Sequence, residues 1–266
     1  MLKGLISLFR KEFFAFLAPL AIAGMIAVPA TAANLDDGVK RYATTGMEQI
    51  DAALAGAKKL QERVAAKDIE GARQAWIAAR AGWERSETFT GSLFPDLDAA
   101  IDSWPDATAG FHAIEAKIFT GDLNGVAAMT DALVKNLQSF SDQIHAKGLT
   151  AQGLLDGSAK LAYEIGENKS SGGESAVSGT SLDDMRHNAD GLSGTYKAVF
   201  EQTLATADPK LEEITDAEIT RLGEILKAPD LKSLDVDELK KVSERLAISF
   251  QTAAAKLGLE KPNLED

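Results

Sequence analysis

The feature that most constrains this chain is a helix-forming pattern that runs through almost all of it after Ala33. Alanine, leucine, lysine, glutamate and glutamine dominate, and β-branched residues rarely cluster. These residue types favour helix, and the sequence lacks the period-two alternation that is typical of half-buried strands. The pattern therefore predicts an all-α fold.

Breaks in the pattern predict where the helices begin and end. The predicted helices span Asp36 to Ala66, Asp68 to Glu87, Leu123 to Ala146, Thr150 to Asn168, Thr180 to Ala205, Thr215 to Lys227 and Val236 to Leu257. A further helix is expected to start at Asp106 or Thr108, after a loop at Thr90 to Pro95 and a short acidic turn or helix at Asp96 to Asp102. Asp68 and Thr215 are the expected N-caps of their helices.

A glycine near the middle of the chain marks the expected boundary between two halves. Gly148 to Thr150 separates one set of four predicted helices from another. Because four amphipathic helices can enclose a core, we expect two four-helix bundles in a bilobed arrangement. The halves would be residues 33–148 and 149–266 of a single helical domain.

The first 32 residues have the composition of a signal peptide. Lys3, Arg10 and Lys11 form a basic region, Phe13 to Val28 is a mostly apolar run, and Ala30 to Ala32 offers small residues for cleavage. The run is short for a membrane span, so a retained anchor is the less favoured alternative. We therefore expect residues 33–266 to be exported to the periplasm.

The chain contains no cysteine, which excludes disulfides, thiolate ligands, thiolate nucleophiles and a lipid-modified cysteine within it. Loss of the first 32 residues would remove three basic residues and one acidic residue, so the formal net charge would change from −12 to −14. Such acidity argues against nucleic acids and anionic membrane surfaces as partners. It favours a cation as the ligand.

His112 and Glu115 are three residues apart and would share one face of a helix. Phe111, Ile114 and Ile118 recur beside them at helical spacing, which predicts a buried flank. An imidazole and a carboxylate in such a place are either a buried polar pair or two metal ligands. The spacing alone leaves both interpretations open.

Four other acids could complete a metal site. Glu84 and Glu87 are also three residues apart on one predicted helix, and Asp96 and Asp98 follow that helix in the chain. Carboxylates and one imidazole, without sulfur, suit hard or borderline cations such as iron, manganese, zinc or calcium.

The same glutamates have a simpler explanation. Arg80 and Arg85 lie on the predicted helix that carries Glu84 and Glu87. Pairs of opposite charge three or four residues apart are common on solvated helix faces. The two glutamates would then be surface ion-pair partners rather than ligands.

Four segments resemble, in order, the motifs of the imelysin-like proteins, specifically EfeO and EfeM. They are Ala79 to Glu87, Asp96 to Asp102, Gly110 to Glu115 with the pattern G-x-H-x-x-E, and Gly173 to Gly191. Members of this family are periplasmic components of bacterial iron uptake systems. The helical part would here follow the signal peptide directly, as in the short EfeM type that lacks a cupredoxin-like domain.

The resemblance implies a periplasmic protein that captures a cation and delivers it to an inner-membrane iron permease, in a system that includes a periplasmic peroxidase. Iron, as Fe²⁺ or Fe³⁺, is the first expected cargo, with zinc, copper, manganese or calcium as other candidates. No enzymatic activity is expected. The expected metal ligands are His112, Glu115, Glu84, Glu87, Asp96, Asp98 and Glu174.

The chain departs from the family pattern in the last of the four segments. Gly179 stands where the family often has a histidine, and Ser181 stands where it has an aspartate. If the second half of the family normally donates ligands, the site is weakened there. Glu174 and Asp184 are the residues that could rebuild it.

Two alternative functions belong to other classes. The imelysin family has been classed among peptidases because of its H-x-x-E, but the H-E-x-x-H helix of zinc peptidases does not occur in this sequence. EfeO-like proteins have also been linked to acidic polysaccharides such as alginate. The expected charge of −14 after export opposes binding of a polyanion unless a cation bridges the two. Chelator-sensitive cleavage of casein, or chelator-sensitive polysaccharide binding, would identify either function.

Overall fold

The computed structural model describes residues 30–264, and within that range the chain forms helices and turns but no strand. The α-helices are α1 (Ala30–Ala65), α2 (Ile69–Ser86), α3 (Thr90–Leu93), α4 (Pro95–Asp102), α5 (Gly110–Ile118), α6 (Val126–Lys147), α7 (Ala151–Glu167), α8 (Ser181–Thr195), α9 (Glu201–Ala207), α10 (Pro209–Ile225) and α11 (Val236–Leu257). Lys169–Ser171 and Leu231–Ser233 are 3₁₀ turns, and Tyr196–Phe200 is π-helical. The prediction of an all-α fold is confirmed.

Apolar stripes on α1 and α2 explain why these two helices pack against each other. Ile50 and Leu60 of α1 are fully buried, as are Trp76 and Trp83, which lie seven residues apart on α2. Full burial of a large apolar side chain stabilises the fold by about 1.5–3 kcal/mol. The seam between these helices therefore anchors α2, the helix that carries Glu84 and ends just before its C-cap residue, Glu87.

Helices from the two predicted halves contact each other as well as their own neighbours. α1 packs on α2 and α6 in the first half, and α7 packs on α11 in the second. α2 also packs along α8, and Tyr196–Phe200 contacts α1. Within the described residues, the buried apolar side chains form a cluster that is continuous across both halves. The division into two bundles at Gly148 therefore stays a prediction.

Several helices begin at positions other than those predicted. α1 starts at Ala30 instead of Asp36, and α6 starts at Val126 instead of Leu123. α5 starts at Gly110 rather than at Asp106 or Thr108, because Ala109 is extended with φ −149° and ψ 179°. α10 starts at Pro209, whose fixed φ suits the first position of a helix. Asp208 caps it by accepting a hydrogen bond from Leu211 N at 3.2 Å. Thr215, the predicted cap, lies inside the helix instead.

Two further segments differ from the prediction, and two agree with it. The predicted loop at Thr90 to Pro95 contains the short helix α3, and Pro95 begins α4. The predicted helix from Thr180 to Ala205 is divided by the π-helical turn Tyr196–Phe200. By contrast, the bounds of α11 match, and Asp68 caps α2 by accepting from Gly71 N at 2.9 Å.

Residues 1–29, which hold nearly all of the predicted signal peptide, lie outside the described residues. The structure therefore does not test that prediction. None of the helices between residues 30 and 264 is long and apolar enough to cross a membrane.

Candidate metal centre

The first turn of α5 is built so that His112 enters the interior of the molecule. Gly110 has φ +74°, a conformation that favours glycine, and any Cβ there would collide with the carbonyl oxygen of Ile101. The side chains of Phe111 and Ile114, which flank His112, are fully buried, as the spacing predicted. The indole of Trp76 donates to the Phe111 carbonyl at 3.0 Å and ties α5 to α2.

Glu115 and His112 do form a pair on the face of α5. His112 Nδ1 lies 3.3 Å from Glu115 Oε2, and the other oxygen of Glu115 accepts a hydrogen bond from Ser178 N at 2.7 Å. A proton on Nδ1 is thereby directed at Glu115, which leaves Nε2 facing the opposite way. A carboxylate that holds one ring nitrogen of a histidine is the usual way to orient the other towards a metal.

His112 Nε2 faces two more carboxylates. It lies 3.2 Å from Asp102 Oδ1 and 3.6 Å from Glu174 Oε1. Within the described part of the chain, Nε2 is buried without an aligned hydrogen-bond partner. One donor atom each from Asp102, His112 and Glu174 lie within 4.8 Å of one another. This arrangement of one nitrogen and two carboxylate oxygens is compatible with a bound cation after small side-chain movements.

A second group of donors adjoins the first. Glu84, Glu87 and Asp102 also place one oxygen each within 4.8 Å of one another, so that Asp102 belongs to both groups. Asn188, from α8, donates to Glu84 Oε2 at 2.8 Å and to Glu87 Oε2 at 2.7 Å. Glu84 and Glu87 therefore both point towards α8, which belongs to the second predicted half.

Arg80 is one of two buried cations that neutralise these carboxylates. It is 1% exposed, forms ion pairs with Glu84 and Asp102, and reaches Asp184 Oδ2 at 3.3 Å. Its guanidinium carbon lies 5.8 Å from the Trp76 ring centroid and 5.4 Å from that of Phe111. The guanidinium is thus held by aromatic faces as well as by charge.

Lys169 is the other buried cation, and it comes from the second half of the chain. Its Nζ lies 3.2 Å from Glu84 Oε2, 3.1 Å from Glu87 Oε2 and 2.9 Å from Glu174 Oε2. Glu174 is therefore shared, because its other oxygen faces His112. The alternative interpretation is that Glu84 forms ion pairs on a solvated helix face. Glu84 does form ion pairs, but its partners Arg80 and Lys169 are buried.

The charges of the cluster shift the pKa of its members. Burial disfavours the imidazolium of His112, but the Asp102 carboxylate, with Glu115 and Glu174, outweighs burial and raises the pKa of His112 to about 11. Burial alone would raise the pKa of Glu174, but Lys169, His112 and Arg80 lower it to about 2. Protonated His112 therefore joins Arg80 and Lys169 as a third cation beside the ionised carboxylate of Glu174. Burial and the neighbouring Glu84 carboxylate instead raise the pKa of Glu87 well above its usual value, which favours its protonated form.

A cavity of about 310 Å³ borders the cluster and includes Glu87, Asp102, Lys169 and Glu174 in its wall. Asp98 lines it too, whereas Asp96 is exposed in the first turn of α4. The described structure thus leaves Asp96 outside the cluster and places Asp98 at its edge. The other predicted ligands come together there, namely Glu84, Glu87, His112, Glu115 and Glu174.

Two residues of the cluster were missed as candidate site residues. Asp102 lies four residues after Asp98, on the same face of α4, so its helical spacing is a signal that could have found it. Lys169 has no such signal, because a lysine after a helix is ordinarily exposed.

In the segment that departs from the family pattern, Ser181, Gly179 and Asp184 have structural roles. Ser181, in place of an aspartate, donates to the carbonyl of Gly172 at 2.9 Å. Gly179, in place of a histidine, has φ +77° with open space around it. Asp184 accepts from Ser175 Oγ at 2.5 Å and pairs with Arg80, so it stabilises the cluster from behind.

Comparison with known proteins gives consistent matches over most of the chain. The family model for imelysin, a peptidase M75 family, matches residues 37–257. An "Efem/EfeO family lipoprotein" of Staphylococcus haemolyticus is 26% identical over 204 residues, which cover 73% of this chain and 71% of the relative. A lipoprotein of the same description from Staphylococcus aureus is 25% identical over 236 residues, covering 85% and 83%.

A solved structure shares the fold. It belongs to an iron-regulated protein A precursor of Parabacteroides distasonis, with a TM-score of 0.70 and 14% identity. The similarity covers 87% of this chain and 97% of that one. At this identity the match supports the helical architecture alone.

Proposed function

The chain belongs to the imelysin family, and from that premise we propose that it is a periplasmic binding protein that captures iron, or a similar cation, and delivers it to an inner-membrane permease. The observation that carries the proposal is the convergence of Asp102, His112 and Glu174, with donor atoms within 4.8 Å of one another. The relatives are named EfeM/EfeO lipoproteins, and the motifs resemble those of that iron-uptake family. Iron is the cargo that these similarities favour.

The proposed ligand set differs from the one the sequence predicts. Asp102, His112 and Glu174 would bind the cation directly, whereas Glu115 would orient His112 through Nδ1. Glu84 and Glu87 would lie beside the cation as further oxygen donors, because they form a second donor group with Asp102. One nitrogen and several oxygens suit iron, zinc and manganese better than a soft cation such as Cu⁺.

Capture and release fit the cluster better than permanent retention. Arg80 and Lys169 already neutralise most of the carboxylates, so an arriving cation must compete with them. Such competition lowers the affinity of the site and makes transfer to a partner feasible. The permease and the peroxidase are the partners that the resemblance to EfeO and EfeM implies.

Two observations support the periplasmic part of the proposal. The relatives are named lipoproteins, and this chain starts with a segment that has the composition of a signal peptide. The mature form would carry a larger excess of acidic residues than the full chain. An acidic surface attracts cations to the protein before any site is occupied.

Isothermal titration tests the proposal directly. Purified residues 33–266 are titrated with zinc in air and with ferrous iron under anaerobic conditions, as wild type and as His112→Ala. His145→Ala is the matched control, because His145 is half-exposed and contacts only Asp51 at 3.5 Å among the ion pairs described. We expect wild type and His145→Ala to bind one cation with the same affinity and His112→Ala to bind at least about 100-fold more weakly. Equal binding by all three proteins, or none by wild type, contradicts the proposal.

A metallopeptidase is the second candidate, favoured by the peptidase classification of the matching family model. The geometry supplies a single imidazole, with two buried cations beside it. Such neighbours repel the positive charge of a metal and compete for its carboxylate ligands, which is unfavourable for a Lewis acid that must stay bound through turnover. Zinc-dependent, chelator-sensitive cleavage of casein that is lost in His112→Ala would establish this activity instead.

A further inference from the structure

Lys169 occupies a position that neither the family comparison nor the proposed ligand set explains. A lysine is rarely buried, yet Lys169 is 5% exposed at the start of the 3₁₀ turn that follows α7. Its ammonium lies 3.2 Å or less from oxygens of Glu84, Glu87 and Glu174. Burial of this charge is costly, and the three carboxylates offset the cost. A cation of the protein itself thus lies among groups that a cargo cation would use.

The contact with Glu174 sets Lys169 in direct competition with the cargo. Glu174 Oε2 is 2.9 Å from Lys169 Nζ, and Glu174 Oε1 is 3.1 Å from the same nitrogen and 3.6 Å from His112 Nε2. Both oxygens of one proposed ligand are therefore engaged by the ammonium. A cation bound between His112 and Glu174 would lie within a few ångströms of that positive charge, which is strongly repulsive in a buried site.

Arg80 and Lys169 differ in their freedom to move. The guanidinium of Arg80 is enclosed between Trp76 and Phe111 and remains charged at any pH a protein tolerates. Lys169 lies in the wall of the 310 Å³ cavity, next to Glu87 and Asp98. Its flexible stem can therefore turn away from Glu174 into a space that also offers carboxylates.

From these contacts we infer that Lys169 is an internal counter-cation that occupies Glu174 when the site is empty and turns into the cavity when a divalent or trivalent cation binds. The inference rests on the proposed function, because it requires a cargo at His112 and Glu174. It assigns Lys169 the role of lowering affinity and of discriminating by charge. The carboxylates attract a monovalent ion no more strongly than they attract the ammonium group of Lys169. A multivalent ion is attracted more strongly and can displace it.

The first experiment removes the ammonium. Lys169→Met keeps the length of the side chain, and Lys169→Arg keeps its charge. Lys197→Met is the matched control, because it removes one positive charge from an exposed position on the π-helical turn. Titration with zinc should show Lys169→Met binding at least about tenfold more tightly than wild type, while Lys169→Arg and Lys197→Met show no gain. Unchanged or weaker zinc binding by a folded Lys169→Met overturns the inference.

The second experiment keeps the wild-type chain, because three unpaired carboxylates could prevent Lys169→Met from folding. Brief acetylation of amines with an N-hydroxysuccinimide ester, followed by peptide mass spectrometry, compares metal-free and zinc-saturated protein. Lys169 should be protected in the metal-free protein and acetylated severalfold faster with zinc, whereas Lys197 should react equally in both. Equal protection of Lys169 in a protein that binds zinc refutes this inference and leaves the proposed function standing. Failure of wild type to bind zinc and ferrous iron refutes both.

Discussion

His112 and Glu174 lie on two sides of the candidate site that are built differently. The side formed by α2 and α5 is called the packed wall, and the side formed by residues 169–179 is called the polar wall. His112 projects from α5, which is fixed by the buried side chains of Phe111 and Ile114 and by the close approach of Gly110 to Ile101. Glu174 projects from the turns at residues 174–179, which follow a short 3₁₀ helix. That segment is tied to the cluster mainly by hydrogen bonds, such as those of Ser175 and Ser178.

The buried cations follow the same division. Arg80 belongs to the packed wall and is enclosed by aromatic rings, whereas Lys169 belongs to the polar wall and borders a cavity. Close-packed contacts resist displacement, while polar contacts exchange readily for water or for another ion. One wall can therefore hold a donor in place while the other adjusts to a cation that arrives and leaves.

Removal of the fixed cation should have the largest effect on the molecule. In Arg80→Met the carboxylates of Glu84 and Asp102 remain buried without their main partner. We expect the free energy of unfolding to fall by about 3–5 kcal/mol, measured by urea denaturation of the metal-free protein. Arg85→Met is the control, because Arg85 is half-buried and pairs with the exposed Asp190 at 3.5 Å; its expected loss is below about 1 kcal/mol. Equal losses in the two variants would mean that Arg80 is not a structural cation.

Two glycines with positive φ, one in each wall, differ in how closely other atoms surround them. Gly110→Ala should destabilise the protein by about 2–3 kcal/mol, because the methyl group would strain the backbone and also collide with the Ile101 carbonyl. Gly179→Ala should cost only about 1 kcal/mol, since its φ of +77° is unfavourable but the space around it is open. Thermal unfolding of both variants checks the ranking, and a larger loss in Gly179→Ala would reverse the assignment of the rigid wall.

Glu115→Gln tests whether the packed wall orients His112. The amide keeps the size of the side chain but loses the charge that faces His112 Nδ1 at 3.3 Å. Zinc affinity should fall by about 10- to 100-fold, with the stoichiometry unchanged. A complete loss of binding comparable to that of His112→Ala would instead identify Glu115 as a direct ligand.

The smallest expected effect concerns the pH dependence of the cavity wall. Burial, opposed by Lys169 and Lys160, raises the pKa of Glu164 to about 7 in the folded protein. The folded state therefore favours the protonated acid. The resulting contribution of Glu164 to the free energy of unfolding is fully present below the unfolded pKa and is lost as the pH rises through about 7. Because the carboxyl group is partly exposed, the loss between pH 5 and pH 8 should be about 1 kcal/mol.

Urea denaturation at both pH values checks this expectation. Glu164→Gln should remove about 1 kcal/mol of the pH dependence, whereas Glu167→Gln, at an exposed position on the same helix, should leave it unchanged. The same slope in wild type and in Glu164→Gln would show that the carboxyl group is not desolvated.

Much of the local structure could be predicted from the sequence. The helical pattern indicated the all-α fold and the bounds of α11, and the spacing of His112, Glu115 and Ile114 indicated a polar pair beside a buried flank. The errors occur where short-range rules compete. Thr215 has the sequence features of a cap, but Pro209 and Asp208 begin that helix earlier.

Which segments are helical and which residues share a face can therefore be read from the sequence, because these properties depend on neighbours three or four positions away. The contacts of the predicted ligands with Arg80 and Lys169 depend instead on the packing of helices that are distant in the chain. Asn188 and Glu84, in contact at 2.8 Å, are 104 residues apart in the chain. Lys169 is buried because three carboxylates surround it, and their meeting depends on how α2, α7 and α8 pack. Charge compensation of this kind is a property of packed helices and leaves no periodic trace in the sequence.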